Sequence, residues 1–196
     1  MSRRERNKAD KAARIFAAAR ELFVNHGYEA VTTQQIADHA DVAVGTVFRY
    51  ASTKADLLAR VMNAELARPQ HDESAADAPV EAVMNLLNPL LEVARTQPEN
   101  LLHYQKIVLF DRPGEPRDAA LSAIEELGSE IETLLRRITA DGSPRPGVEL
   151  TEAAHTLFSG LHMAVIRMAL GRLDPDDFGA VVRQHVDVVL HGVLTD

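Results

Sequence analysis

The sequence predicts an all-α protein, and three observations carry that reading. Apolar residues recur at helical spacing along nearly the whole chain, clusters of helix breakers separate those runs, and no segment alternates with the two-residue period of a strand. About nine helices follow from this pattern.

The first helix is traced by Ala12, Ile15, Phe16, Ala19, Leu22 and Phe23. It is expected to stop at Asn25-His26-Gly27, where glycine accepts a left-handed backbone at no steric cost. Thr32 and Gln35 have the spacing of a capping box, which opens a short second helix reaching about His39. A turn at Asp41 separates it from a third helix, about Val44 to Tyr50. Thr53 with Asp56 opens the fourth, carried by Leu57, Leu58, Val61, Met62 and Leu66. Val83, Leu86, Leu87, Leu90, Leu91 and Ala94 mark the fifth, and the apolar piece Leu101–Phe110 the sixth. Leu121, Ile124, Leu127, Ile131, Leu134, Leu135 and Ile138 trace the seventh. The last two run over about 149–171 and 175–194, the second with Phe178, Val181, Val182, His185, Val189 and Val193 on one face. That segment is rich in valine, a weak helix former, but its period is helical and period outranks propensity. Loop compositions lie between the runs at 68–79, 111–117 and 141–147, with proline placed to open the helix that follows.

Two short helices joined by a tight turn and preceded by a longer amphipathic one make a helix-turn-helix, whose second short helix enters the major groove of DNA. The run Phe48-Arg49-Tyr50 fits that purpose, because consecutive residues on a helix point about 100° apart and cannot all enter one core. Ile36, Ala37, Val42 and either Val47 or Phe48 are expected to face inward, with Phe48 weighted toward packing. Thr46, Arg49, Tyr50 and Lys54 are left for the groove and its phosphates.

Charge supports this reading weakly. Residues 1–60 hold ten basic and seven acidic side chains, a balance of +3, whereas the remainder holds 11 basic and 22 acidic, a balance of −11. A basic head on an acidic body is compatible with a nucleic-acid partner despite the overall charge of −8. With no cysteine there is no disulfide framework, thiolate metal site or thiol nucleophile. The charged start MSRRERNKADK is unlike a signal peptide, and no apolar stretch approaches the roughly 20 residues of a membrane span. The expectation is a soluble, cytoplasmic protein without a membrane partner or cofactor.

The stretch GYEAVTTQQIADHADVAVGTVFRYASTKADLL resembles the N-terminal domain of the TetR family of transcriptional repressors, over roughly residues 10–60. The features that carry the resemblance are Gly-Tyr after the first helix, Thr-Thr before Ile-Ala, Val-x-x-Gly-Thr, the aromatic cluster, and Thr-Lys-x-x-Leu-Leu. The resemblance implies that Thr33 contacts phosphate and that Gln34 lies on the backbone or a base edge. It implies that Gly45 permits close approach, with Val44 and Thr46 at the groove. Arg49 would reach guanine or phosphate, and Tyr50 and Lys54 would anchor phosphates. Arg3, Arg4, Arg6 and Lys8 would form a basic arm tracking the minor groove, disordered without DNA. Two positions depart from the pattern: Asp41 stands where glycine is usual in the turn, and Ala43-Val44 replaces a more polar pair. The operator sequence therefore cannot be borrowed from relatives.

The resemblance further implies a three-helix DNA-binding domain, residues 1–55, and a larger helical domain, residues 56–196, with a homodimer through about 149–171 and 175–194 and a small-molecule effector bound among the middle helices. The residues expected to line that site are Met62, Met84, Leu87, His103, Tyr104, Ile107, Phe110, Phe158 and His162, for a largely apolar ligand with one or two polar groups. Enzyme chemistry finds little support. No His-x-x-x-His or His-Glu-x-x-His pair exists, Phe158-Ser159-Gly160 lacks the flanks of a nucleophile elbow, and there is no glycine-rich phosphate loop. No metal site is expected. The alternative to a DNA-binding regulator is a helical small-molecule-binding or interaction protein that does not bind an operator.

Overall fold

The computed structural model describes residues 2–67, 78–140 and 144–194. Among them are nine α-helices, one 3-10 turn at Pro175–Asp177 and no strand beyond an isolated bridge between Pro144 and Leu194. Most of the loop expected at 68–79 and the start of that at 141–147 lie outside the described residues. The helices are α1 (Arg3–Ala30), α2 (Thr33–His39), α3 (Val44–Val47), α4 (Lys54–Leu66), α5 (Pro79–Thr96), α6 (Pro98–Phe110), α7 (Glu115–Ala140), α8 (Leu150–Ala169) and α9 (Phe178–Val193).

The chain forms two compact units. One joins Met1–Glu65 to Glu99–Ala120, and the other joins Leu66–Pro98 to Leu121–Asp196. In the first unit, Ile15 and Phe23 of α1, Ile36 of α2, and Leu57, Leu58 and Met62 of α4 are fully buried. Burying each such side chain is worth about 1.5–3 kcal/mol, which is what holds short helices like α2 and α3 in place. The first unit is closed by its second chain segment. The buried Asn100 amide donates to the Phe23 carbonyl at 2.8 Å, and the Glu99 carboxylate accepts the Glu29 N–H at 2.8 Å.

In the second unit α9 packs against both α8 and α5. On α8 the stripe Leu150, Ala153, Leu157, Leu161, Ala164, Val165 and Met168 is buried throughout. The α9 stripe is different from the expected one: Phe178, Val182, Val186, Leu190 and Val193 are buried, while Val181, His185 and Val189 are half-buried on a second face. Valine occupies both faces of this helix, so the apolar pattern alone does not select between them.

Local chemistry explains where the helices begin and end. Gly27 takes φ 76° and ψ 165°, interrupting the helical backbone at the expected place, although one more turn reaches Ala30. Pro79 and Pro98 open α5 and α6, and Pro116 sits in the first turn of α7, which therefore starts inside the segment expected to be loop. The basic segment expected as a disordered arm is instead the start of α1. Ser2 accepts from the Glu5 N–H at 3.2 Å and Glu5 accepts from the Ser2 N–H at 2.6 Å, a capping box that lets the helix begin at Arg3.

Candidate nucleic-acid interface

The turn between α2 and α3 is fixed by backbone chemistry. Thr32 and Gln35 form the expected capping box at the start of α2, with Thr32 N donating to Gln35 Oε1 at 2.8 Å. At the other end Asp41 adopts φ 51°. Its N–H bonds the Asp38 carbonyl at 3.2 Å, and the next N–H, of Val42, returns to the Ala37 carbonyl at 3.0 Å. This pair of bonds is a Schellman closure with aspartate in the left-handed position that glycine usually fills.

The chain then enters α3 at Ala43, which offers no side-chain cap. Val47 is 0% exposed and Ala51, one turn on, is also buried, so this pair forms the inward stripe. Phe48 is 48% exposed, contrary to the expectation that it packs. The i, i+4 spacing of Val47 and Ala51 is the signal that decides the choice, because it leaves Phe48 rotated outward. After Val47 the backbone tightens, with Arg49 N bonding Thr46 O at 3.1 Å and Tyr50 N bonding Val47 O at 2.9 Å. The helix is thus shorter than the expected run to Tyr50.

The outward set consists of Gln34, Gly45, Phe48 and Arg49, all exposed, with Thr33, Val44, Thr46 and Tyr50 half-buried beside them. Nothing lies within 4 Å of where a Cβ would stand on Gly45, so this position presents bare backbone. Gln34 is held by its own helix, its amide donating to Asp38 at 2.7 Å. Tyr50 is tied to α1, its hydroxyl donating to the Lys8 carbonyl at 3.1 Å. Lys54 turns back into the unit: its ammonium donates to the Tyr28 and Val31 carbonyls at 2.8 and 2.9 Å. Two of its three N–H groups are spent on the end of α1.

The residues expected to line an effector site fall into both units. Met62, His103, Tyr104, Ile107 and Phe110 belong to the first, and Met84, Leu87, Phe158 and His162 to the second. Tyr104 is buried and donates to Asn63 Oδ1 at 2.6 Å, and burial pushes its hydroxyl up to about 12. His103 stacks on Tyr28 with ring centroids 4.5 Å apart, its Nε2 lying 3.1 Å from Glu29. Burial first, then the charge of Lys106, holds its pKa below the usual histidine value despite Glu29, which is well exposed and therefore screened. Phe158 and His162 form a ring pair at 6.0 Å, and burial also lowers the pKa of His162. Met62, Met84 and Leu87 are buried, Ile107 is half-buried, and Phe110 is exposed at the end of α6. Among the described residues no group of three His, Asp or Glu could hold a metal ion, and no helix is long and apolar enough to cross a membrane.

Residues 15–61 match the model for bacterial regulatory proteins of the tetR family, a span that contains α2, the turn and α3. The HTH-type transcriptional repressor KstR of Mycobacterium tuberculosis is 31% identical over 156 residues, which is 73% of this chain and 62% of that protein. The chain thus spans less than two thirds of the length of this curated relative. A solved structure of Thermus thermophilus FadR, a TetR family transcriptional repressor in complex with lauroyl-CoA, is 27% identical. It is matched over 94% of this chain and 96% of its own, with a TM-score of 0.62. A TetR transcription regulator from Haloarcula marismortui shares the fold with a TM-score of 0.72 at 22% identity, over 95% and 100% of the two chains. The helix-turn-helix geometry and the family match agree on the same stretch: residues 15–61 carry the N-terminal region of the tetR family of bacterial regulatory proteins.

Proposed function

We propose that this protein is a ligand-responsive transcriptional repressor that binds a two-fold symmetric operator as a homodimer and leaves it when an effector binds. The observation that carries the reading is the outward face of α3, where Gly45, Phe48 and Arg49 are exposed around a buried Val47. In this reading residues 1–55 are the reading head and residues 56–196 the effector and dimerisation body. Thr46 and Arg49 read base edges, and Phe48 joins them as an apolar contact suited to a thymine methyl group. Val44 and Gly45 allow close approach to the groove, while Thr33, Gln34, Tyr50 and the remaining N–H of Lys54 hold the backbone.

The dimer is supported by apolar groups that a monomer leaves in water on the two last helices: Met163 is 53% exposed and Val188 71%. The effector is proposed to be a largely apolar acyl group carried on coenzyme A, by analogy with the lauroyl-CoA bound to the Thermus thermophilus relative. Met84, Leu87, Phe158 and His162, which share the second unit, are its proposed contacts.

Selection of bound fragments from genomic DNA, followed by a salt titration of the selected duplex, tests the reading. A repressor yields one palindromic consensus and an affinity that falls linearly with the logarithm of salt concentration. Failure to enrich any sequence, with acyl-CoA still bound, would leave the helical ligand-binding protein without an operator.

A further inference from the structure

A cleft of about 440 Å3 opens within the first unit, lined by α1, α4 and the start of α7. Its apolar walls include Phe16, Val61, Ala64 and Pro116, and two arginines face it, Arg20 from α1 and Arg60 from α4. Among the residues proposed above for effector or DNA, none lines this cleft.

The two guanidinium groups are only partly satisfied. Arg60 stacks over the Phe16 ring at 5.9 Å and bonds the Glu115 carboxylate through both terminal nitrogens. Its Nε is buried and has no acceptor among the described residues. Arg20 pairs with Glu65 through Nε, and its terminal nitrogens make no hydrogen bond among the described residues. The Glu115 side chain is 71% exposed, against 31% for Arg60, so the carboxylate now seated on Arg60 is readily returned to water. That carboxylate shows the shape of what Arg60 accepts: a planar, two-oxygen anion on a guanidinium fork.

We infer that this cleft binds a compact amphiphilic carboxylate, whose hydrocarbon body lies against Phe16, Val61, Ala64 and Pro116. Its carboxylate takes the place of Glu115 on Arg60 and engages the spare nitrogens of Arg20. Apolar walls around a few placed polar groups are the usual build of a small-molecule site, and they weaken the screening of the arginine charges. The site is independent of the operator and acyl-CoA readings, since it uses none of their residues.

The test is a titration of the full-length protein with 1-naphthoate, followed by fluorescence anisotropy, which no tryptophan in this chain obscures. The neutral 1-naphthalenemethanol is the control for shape without charge. Saturable binding of one naphthoate per chain is expected, with the alcohol at least tenfold weaker. Arg60→Gln and Arg20→Gln should each weaken binding at least fivefold, and Ala64→Phe, which fills the cleft, should remove it. Arg20 is mostly exposed, so its variant reports on binding even if Arg60→Gln disturbs the α4–α7 contact. The inference is overturned by the absence of saturable binding, by equal binding of the alcohol, or by binding that survives both Ala64→Phe and Arg20→Gln.

Discussion

The ammonium of Lys54 lies 4.1 Å from the centroid of the Tyr28 ring while donating to the carbonyls of Tyr28 and Val31 at 2.8 and 2.9 Å. One side chain therefore joins the first residue of α4 to the end of α1 and to the residue that precedes the cap of α2. Charged hydrogen bonds of this kind contribute about 1.5–3 kcal/mol each, and the ring adds up to about 1 kcal/mol. Lys54→Met is expected to lower stability by about 2–4 kcal/mol in denaturant titration, allowing for overlap between these terms. It should also reduce the slope of log affinity against log salt by about 0.9 per subunit, through the third N–H. An unchanged salt slope with the same loss of stability would confine Lys54 to the structural clip.

Neighbouring residues on α3 should respond in opposite ways. Phe48→Ala removes an exposed ring and should shift stability by no more than about 0.5 kcal/mol while weakening operator binding. Val47→Ala opens the core and should cost about 1–3 kcal/mol of stability. Parallel denaturation and DNA-binding curves on both variants check the split, and a Phe48 variant that binds DNA normally would return that residue to a passive surface role.

Arg49 is exposed beside Phe48, and its guanidinium is proposed to read a base. Arg49→Ala should cost about 1–3 kcal/mol per half-site and relax preference at one base pair. Affinities measured on matched and single-mismatch operators decide this. Equal weakening on both makes Arg49 a backbone contact.

His103 makes stability depend on pH. Its folded pKa lies below the usual value, through burial first and Lys106 second, with Lys54 adding to the lowering and Glu29 and Glu99 opposing it. The unfolded chain then takes up the proton at a higher pH than the folded one. The contribution is therefore complete above about pH 6.5 and is lost as pH falls from there toward the lower folded pKa. His162, lowered by burial, acts with the same sign. His103→Gln should flatten part of the decline in urea midpoint between about pH 7.5 and 5.5. Parallel curves for parent and variant would show that the ring titrates alike in both states.

Exposure also decides how the proposed dimer should be tested. Val182 is fully buried, so a charge there would unfold the chain rather than separate subunits. Met163→Glu with Val188→Glu alters only exposed apolar positions, and sedimentation should show a folded monomer that has lost operator binding. A parent protein that already sediments as a monomer at micromolar concentration would remove the dimer from the proposal.

What the sequence made legible was chemistry between near neighbours. The capping box of Thr32 and Gln35, the stop at Gly27 and the left-handed Asp41 each depend on a few adjacent residues. At the start of α4 the reading was half complete: Thr53 caps Asp56 N at 3.0 Å, but Asp56 reaches back to Ser52 N, at 2.9 Å, one residue earlier than a strict box requires. The inward turn of Lys54 was not legible, because its acceptors lie 23 and 26 residues away. Nor was the choice between the two valine faces of α9, which depends on how α5 and α8 meet it.

The first unit is assembled from two stretches of chain, and Asn100 reaches back 77 residues to the Phe23 carbonyl. On a ribosome this has a consequence in time. The helix-turn-helix emerges early, but its unit lacks α6 and the first turns of α7 until Ala120 has left the exit tunnel. At about 5–20 residues per second the interval between Glu65 and Ala120 lasts several seconds, during which the apolar side of α1 and α4 awaits its cover. A nascent chain of this protein therefore carries its first unit incomplete through most of its synthesis, and that unit closes only after more than half of the polypeptide exists.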